Sequence, residues 1–146
     1  MTDSQARAAS RARTAGFRSD GHGSAASLLA QARTELVEAA TESEPEPRYA
    51  RAHLAALRAA AAVLAQRSAA GLRPRRRGLH SAWDLLFELA PELGEWAGFF
   101  AAGAGKRAAA EAGLVGSVTA READDLIREV ATFCRLVERL TGGDKE

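Results

Sequence analysis

Apolar residues along this chain recur mainly at steps of three and four, the spacing of amphipathic α-helices. The pattern predicts helices that begin at Ser24, near Arg48, at Ser81, at Pro91 and at Thr119. Because Pro91 either kinks the third helix or opens a separate one, we expect four or five helices and no strand. The apolar stripe of the first predicted helix is Leu28, Leu29, Ala32, Leu36 and Ala40, and that of the second is Tyr49, Ala52, Ala56, Leu57, Ala60, Val63 and Leu64. The segment from Ser81 has Trp83, Leu86, Phe87 and Ala90, and the segment from Pro91 has Leu93, Trp96, Ala97, Phe100 and Ala104. The last helix has Ala123, Leu126, Val130, Phe133, Val137 and Leu140.

Capping signals mark several of these helix starts. Thr119 and Glu122 have the Thr-x-x-Glu spacing of a capping box, in which each side chain accepts a hydrogen bond from the other residue's backbone N–H. The SAWD stretch at 81–84 is close to the same pattern. Pro47 suits a first helical turn, where its missing N–H costs little.

The length of 146 residues suits one domain with its own core. Residues 1–23 are polar and arginine-containing, with several glycines, so we expect a disordered basic tail there. Residues 24–141 are predicted to form a single antiparallel bundle of four to five helices, and residues 142–146 a short C-terminal tail. The fold class predicted from the pattern is therefore all-α.

The composition agrees with this fold class. Aromatic residues make up only 5% of the chain, and alanine, the residue with the highest helix propensity, is abundant. Of the 20 basic residues, two are lysines and 20 − 2 = 18 are arginines. Abundant alanine and arginine together are typical of a high-GC bacterial gene. The formal net charge of +1 does not favour any class of partner.

The cysteine and histidine content narrows the function classes. Cys134 is alone, so a disulfide framework and a cysteine-based metal site are excluded. His22, His53 and His80 lack zinc-ligand spacing, and we expect neither metal nor cofactor. No apolar run approaches the roughly 18–20 residues of a membrane span, and no apolar core follows the N-terminal arginines as in a secretory signal. We therefore expect a cytoplasmic protein with no membrane partner.

The most distinctive charged segment is GLRPRRRGL at 71–79, where two glycines and a proline break the helical pattern. Arg73, Arg75, Arg76 and Arg77 form a positive cluster suited to phosphates, so they are the candidate nucleic-acid-binding residues. Four phosphate contacts on a duplex would give log K a slope of about −3 to −4 against log salt. No aromatic residue is interleaved, so sequence-specific single-strand recognition is not indicated. A solvated loop and contact with an acidic protein partner are the alternatives.

Two other stretches have structural explanations. GAGK at 103–106 lacks the earlier glycine, the following Ser or Thr and the preceding strand of a P-loop. Its glycines are better explained by a close helix approach or a bend. Phe99 and Phe100 are adjacent and point in different directions, so one of them is a candidate for a helix–helix or dimer interface.

Three strings, in their order and spacing, resemble a known family. They are RYARAHLAALRAAAAVL (48–64), PELGEWAGFFAAGAGKRAAAEAG (91–113) and VTAREADDLI (118–127). The first is similar to the second helix of HEPN domains, and together they resemble a small actinobacterial HEPN-domain family over about residues 25–141. The resemblance implies an antiparallel helical bundle that often forms a homodimer.

The resemblance also implies a chemistry. Many HEPN proteins are metal-independent ribonucleases with an Arg-x4–6-His motif near the start of a late helix, and two copies of the motif meet across a dimer. The histidine assists proton transfer and the arginine stabilises charge on the phosphate. Here no histidine lies between Arg121 and Arg128, so the motif is missing from its usual place.

Arg48 and His53 do have a spacing compatible with the motif, on the second predicted helix, and they are the candidate catalytic pair. A step of five residues turns an α-helix by about 500°, so the two side chains diverge by about 140°. His53 also falls on the apolar stripe between Tyr49 and Leu57, which favours a histidine packed inside the bundle.

Three functional hypotheses follow from these observations. The first is a non-catalytic, nucleic-acid-associated or regulatory accessory protein that contacts RNA through the arginine cluster. The second is a dimerisation or protein-interaction bundle without a nucleic-acid role. The third is a metal-independent ribonuclease that uses Arg48 and His53. The missing late-helix motif favours the non-catalytic readings.

Overall fold

The structure, a computed structural model, describes residues 21–78 and 81–142. These residues contain six α-helices and one 3-10 turn, with no strand among them. The all-α prediction is confirmed. Residues 1–20 of the predicted tail, and residues 143–146, lie outside the described ranges. The elements are α1 (Gly21–Thr41), α2 (Pro45–Ala69), α3 (Ala82–Leu89), the 3-10 turn Pro91–Leu93, α4 (Gly94–Ala102), α5 (Ala104–Glu111) and α6 (Ala120–Leu140).

The long segments reverse direction from one to the next. Arg48, at the start of α2, donates a hydrogen bond to the carbonyl of Ala40 at the end of α1, 2.9 Å away. Arg67, near the end of α2, donates to the carbonyl of Leu89 at the end of α3. The chain then returns through α4 and α5 until the backbone N–H of Gly116 reaches a Glu46 carboxylate oxygen at 2.9 Å. α4–α5 therefore runs antiparallel to α2, as expected for the predicted bundle.

α6 completes the bundle and runs in the same direction as α2. The two helix starts are joined by Arg48 and Asp124, whose side-chain nitrogen and oxygen lie 2.6 Å apart. At the other end the Gln66 amide donates to the carbonyl of Thr141. Because α2 contacts α1, α3, α5 and α6, it is the central helix of the fold.

The central position of α2 explains its alanine content. Small side chains let neighbouring helices approach closely on several sides, and fully buried alanine loses no side-chain entropy. The buried residues of α2 are Tyr49, Ala52, His53, Ala55, Ala56, Ala59, Ala60, Ala62, Val63 and Ala65.

The largest side chains of the core form an aromatic cluster beside α2. Phe100 lies at its centre and stacks on Trp83 with ring centroids 4.9 Å apart. The rings of Trp96 and Phe133 also pack against Phe100, with centroids at 5.9 Å and 5.1 Å. Such ring pairs add stability beyond the apolar area that they bury. Phe100 is buried and Phe99 is about half exposed, so the prediction that they point in different directions is confirmed.

The structure places several helix boundaries differently from the sequence pattern. α1 begins at Gly21, one turn before the predicted cap at Ser24, because extending a helix costs far less than nucleating one. α2 begins at Pro45 rather than Arg48, with a proline at its first position. The segment predicted as one helix from Pro91 is a 3-10 turn followed by α4 and α5, which are separated at Gly103.

The predicted cap of the last helix is confirmed. The Thr119 side chain accepts a hydrogen bond from the Glu122 backbone N–H at 3.0 Å, and Glu122 accepts from the Thr119 N–H at 2.9 Å. These contacts satisfy two of the donors that every helix start leaves without an intrahelical partner. Ser81 likewise caps α3, since its hydroxyl accepts from the Asp84 backbone N–H at 3.1 Å.

Candidate functional site

The arginine loop, residues 73–77, connects α2 to the segment before α3. Gly71 ends the helix with a φ of 94°, and Gly78 follows the loop with a φ of 76°. Both are left-handed conformations that glycine adopts without strain. All five loop residues are exposed, so the structure presents the four predicted arginines together on one surface.

One carboxylate holds this loop to the bundle. The Arg76 Nε donates to one oxygen of Glu88 at 2.9 Å, and the Arg75 backbone N–H donates to the other at 3.3 Å. The Arg76 hydrogen bond lowers the pKa of Glu88. The Arg73 guanidinium donates to two backbone carbonyls, that of Ser68 in the last turn of α2 and that of Leu72. The Arg75 and Arg77 guanidinium groups form no ion pair with any residue in the described ranges, so the loop keeps most of its positive charge.

A surface groove of about 270 Å³ adjoins the arginine loop, with Arg76 and Phe87 among its lining residues. Phe87 was predicted to face the core, and that prediction is wrong, because 54% of the residue is exposed. α3 is a short helix of eight residues, and its buried residues are Trp83 and Leu86. The Phe87 ring instead lies over Gly94, where an added Cβ would come within 3.1 Å of it. The structure therefore places an exposed aromatic ring beside the arginines, which the sequence spacing did not reveal.

Arg48 connects the ends of three segments. Its guanidinium donates to the carbonyls of Ala40 at 2.9 Å and Glu42 at 3.0 Å, near the end of α1. The same group pairs with Asp124 in the first turn of α6. A cation at a helix C-terminus satisfies carbonyls that have no intrahelical partner. These contacts give Arg48 a structural function.

His53 has a different set of neighbours. It is only 1% exposed, and its Nε2 lies 3.3 Å from the Phe100 carbonyl oxygen. Its ring packs edge-on against Trp83 with centroids 5.7 Å apart. Burial lowers the pKa of His53, so the imidazole is neutral near pH 7. Since its partners differ from those of Arg48, the structure does not bring the candidate catalytic pair together on an exposed surface.

A larger cavity, the Tyr49 cavity, opens where α2, α4, α5 and α6 meet. Its volume is about 530 Å³, within the size range of small-molecule sites. Tyr49, His53, Phe99, Phe100 and Leu126 supply its aromatic and apolar lining. Burial raises the pKa of the Tyr49 hydroxyl, which forms no hydrogen bond with the residues that the structure describes.

Charged side chains from α5 and α6 surround the Tyr49 cavity. Lys106 pairs with Glu122, and Arg128 pairs with Asp125. The hydrogen bond to Lys106 lowers the pKa of Glu122, the same carboxylate that completes the capping box. Lys106 is the lysine of the GAGK stretch. The sequence pattern placed these residues in separate helices and contained no signal that they share a cavity.

The remaining candidate chemistry is limited. Cys134 is a buried free cysteine, and burial raises its pKa to about 11, so it is a thiol near neutral pH. No cluster of metal-ligating side chains occurs in the described part of the chain. No helix among the described residues has the length and apolar character needed to cross a membrane.

A family model described as SAV_6107-like HEPN matches residues 39–138. The match covers more than half of the 146 residues and runs from the end of α1 to the end of α6. It includes both the arginine loop and the Tyr49 cavity. Neither the curated proteins nor the solved structures contain a match to the chain.

Proposed function

The chain belongs to the SAV_6107-like HEPN family, and on that premise we propose that it is a non-catalytic accessory protein that binds single-stranded RNA. The contact surface is the arginine loop together with the adjoining groove. The observation that carries this proposal is that Arg76 of the exposed arginine loop and the exposed ring of Phe87 line the same groove. Guanidinium groups suit backbone phosphates, and an exposed ring offers a platform on which a base can stack.

The absence of catalysis is proposed from the placement of the two candidate residues. His53 is buried, and Arg48 is engaged by carbonyls and by Asp124. A histidine that transfers protons must reach the reacting group directly or through one water molecule. Among the residues that the structure describes, the ribonuclease hypothesis therefore has no supporting geometry, and the RNA role that we propose is one of binding.

The test is fluorescence anisotropy of a labelled single-stranded RNA, titrated with protein in chelator across a salt series. Four phosphate contacts predict a slope of log K against log salt of about −2.8, since each contact on a single strand contributes about −0.7. Arg75→Gln/Arg77→Gln removes the two loop guanidinium groups that have neither an ion pair nor a hydrogen bond with a described residue, and should bring the slope to about −1.4.

A matched control separates local contacts from net charge. Arg121→Gln/Arg135→Gln removes the same charge from exposed positions of α6, away from the loop, and should leave the slope nearly unchanged. Phe87→Ala should weaken binding by about 1–3 kcal/mol with little change in slope, because stacking is not ionic. If the two double variants lose the same amount of RNA affinity, the binding is a nonspecific attraction to positive charge and the proposed contact surface is wrong.

Other outcomes point to the alternative functions. No binding at low salt would refute RNA association and favour a dimerisation or protein-interaction bundle, including one with an acidic protein partner. A slow fall of anisotropy below the value of the free RNA would mean cleavage. If that activity were lost in His53→Gln, the metal-independent ribonuclease hypothesis would replace this one.

A further inference from the structure

We propose that the Tyr49 cavity is a binding site for a small organic cation that carries an aromatic or apolar body. The cavity is separate from the arginine loop, and neither its lining nor its charge is used in the proposed RNA contact. A site of this kind would give the protein a small-molecule ligand in addition to a nucleic-acid partner.

Aromatic and apolar side chains line the Tyr49 cavity. Phe100 and Leu126 are buried at the cavity wall, whereas Phe99 is 47% exposed beside them. Pockets that bind small molecules combine an apolar lining with a few convergent polar groups. The faces of aromatic rings carry negative potential and attract cations, and this attraction strengthens where water is partly excluded.

The charge around the cavity favours a cation over an anion. Lys106 and Arg128 contribute two positive charges, and each is already paired with a carboxylate, Glu122 or Asp125. Glu129 also lines the cavity and has no ion-pair partner within the described ranges. The charged lining therefore sums to 2 − 3 = −1. A cation can pair with Glu129, which has no competing partner among the described residues, whereas an anion would meet cations that carboxylates already neutralise in part.

Two polar groups at the site form no hydrogen bond with the residues that the structure describes. One is the Tyr49 hydroxyl, which lines the cavity. The other is the Nδ1 of His53, which is fully buried. Because Nε2 faces a carbonyl oxygen, it must carry the ring proton, and Nδ1 is left as an acceptor. Because Nδ1 is fully buried, a ligand in the cavity meets the Tyr49 hydroxyl rather than this nitrogen, and the hydroxyl oxygen can accept a hydrogen bond from a ligand N–H group.

The experiment uses 2-phenylethylammonium as the probe and phenylacetate as its anionic counterpart of similar shape. Each is titrated into the full-length, isotope-labelled protein, and backbone amide shifts are followed by NMR. The ammonium probe should shift amides around Tyr49, Gly103 and Glu129 in a saturable manner, and phenylacetate should bind more weakly or not at all. Glu129→Gln and Phe99→Ala should each raise the Kd about twofold to fivefold.

Two matched variants act as controls. Glu95→Gln removes an exposed carboxylate of α4 that does not line the cavity. Phe87→Ala removes a ring about as exposed as Phe99, from the groove beside the arginine loop. Both should leave the Kd unchanged. The proposal is overturned if phenylacetate binds as tightly as the ammonium probe, if Glu95→Gln weakens binding as much as Glu129→Gln, or if no saturable shifts appear at the cavity. None of these outcomes bears on RNA binding, so the two proposals fail independently.

Discussion

Gly103 separates α4 from α5 at a point where the Tyr49 hydroxyl packs against the backbone. Its φ of −87° and ψ of 2° are accessible to any residue, so a side chain there meets no backbone strain. An added Cβ would, however, lie 2.9 Å from the Tyr49 hydroxyl oxygen, which is closer than real Cβ atoms approach. Its next neighbour, the Phe100 carbonyl oxygen, is at an ordinary 3.6 Å.

The expected cost of Gly103→Ala follows from two opposing effects. Replacing glycine by alanine in a compatible conformation stabilises a protein by about 0.4–1 kcal/mol, because the unfolded chain loses conformational freedom. Forcing a methyl group into a filled space costs about 1–3 kcal/mol. We therefore expect Gly103→Ala to destabilise the fold by about 1 kcal/mol. Gly105→Ala, where nothing lies within 4 Å of the new Cβ, should stabilise α5 by about 0.5–1 kcal/mol.

A double-mutant cycle measured by urea unfolding, with circular dichroism as the signal, isolates the contact. In a Tyr49→Phe background the hydroxyl is gone, so Gly103→Ala should become neutral or stabilising there, with a coupling of about 1–3 kcal/mol. Tyr49→Phe alone should change stability little, because the hydroxyl has no described hydrogen-bond partner. A coupling near zero, or a Gly103→Ala protein as stable as Gly105→Ala, would refute the claim that Tyr49 requires a glycine at position 103.

Two further predictions concern the candidate catalytic residues. Because burial lowers the pKa of His53 below 6.5, the unfolded chain binds the proton first, and stability should fall as pH drops below about 6.5. Unfolding measured at several pH values should show this loss in the parent protein and in a His22→Gln/His80→Gln variant, but not in His53→Gln; its persistence in His53→Gln would contradict the assignment. Arg48→Gln should cost about 2–3 kcal/mol, because it deprives several carbonyls of a charged donor. Asp124→Asn should cost under about 1 kcal/mol, since half of that side chain is exposed. If thermal or urea unfolding shows that Arg48→Gln and Asp124→Asn lose the same stability, the ion pair and not the carbonyl contacts dominates.

Local features were predictable from the sequence because their causes lie within a few residues. The capping box of Thr119 and Glu122 is a spacing rule, and the structure has both of its hydrogen bonds. The apolar stripe of α6 is buried as its period requires, from Ala123 to Val137. The segment of the arginine loop is not helical, as its two glycines and its proline predicted, and its charged side chains are exposed.

Contacts between distant segments could not be predicted in the same way. Phe87 has the spacing of a core residue, yet it is exposed, because Trp83 and Leu86 form the buried face of α3 and the Phe87 ring lies over Gly94 at the surface. The need for a glycine at position 103 depends on the position of Tyr49, which belongs to another helix. Helical period fixes the direction of a side chain around its own axis, but not which other helix lies there.

The sequence by itself determined the all-α fold class, the approximate helix positions and a positively charged loop, since these depend on period, capping and chain-breaking residues. Only the tertiary structure decided that Arg48 joins the ends of helices and that Glu129 borders an aromatic cavity. It also placed Phe87 beside the arginines. The physical reason is that a binding site is a meeting of side chains far apart in sequence, and their meeting is set by how whole helices pack.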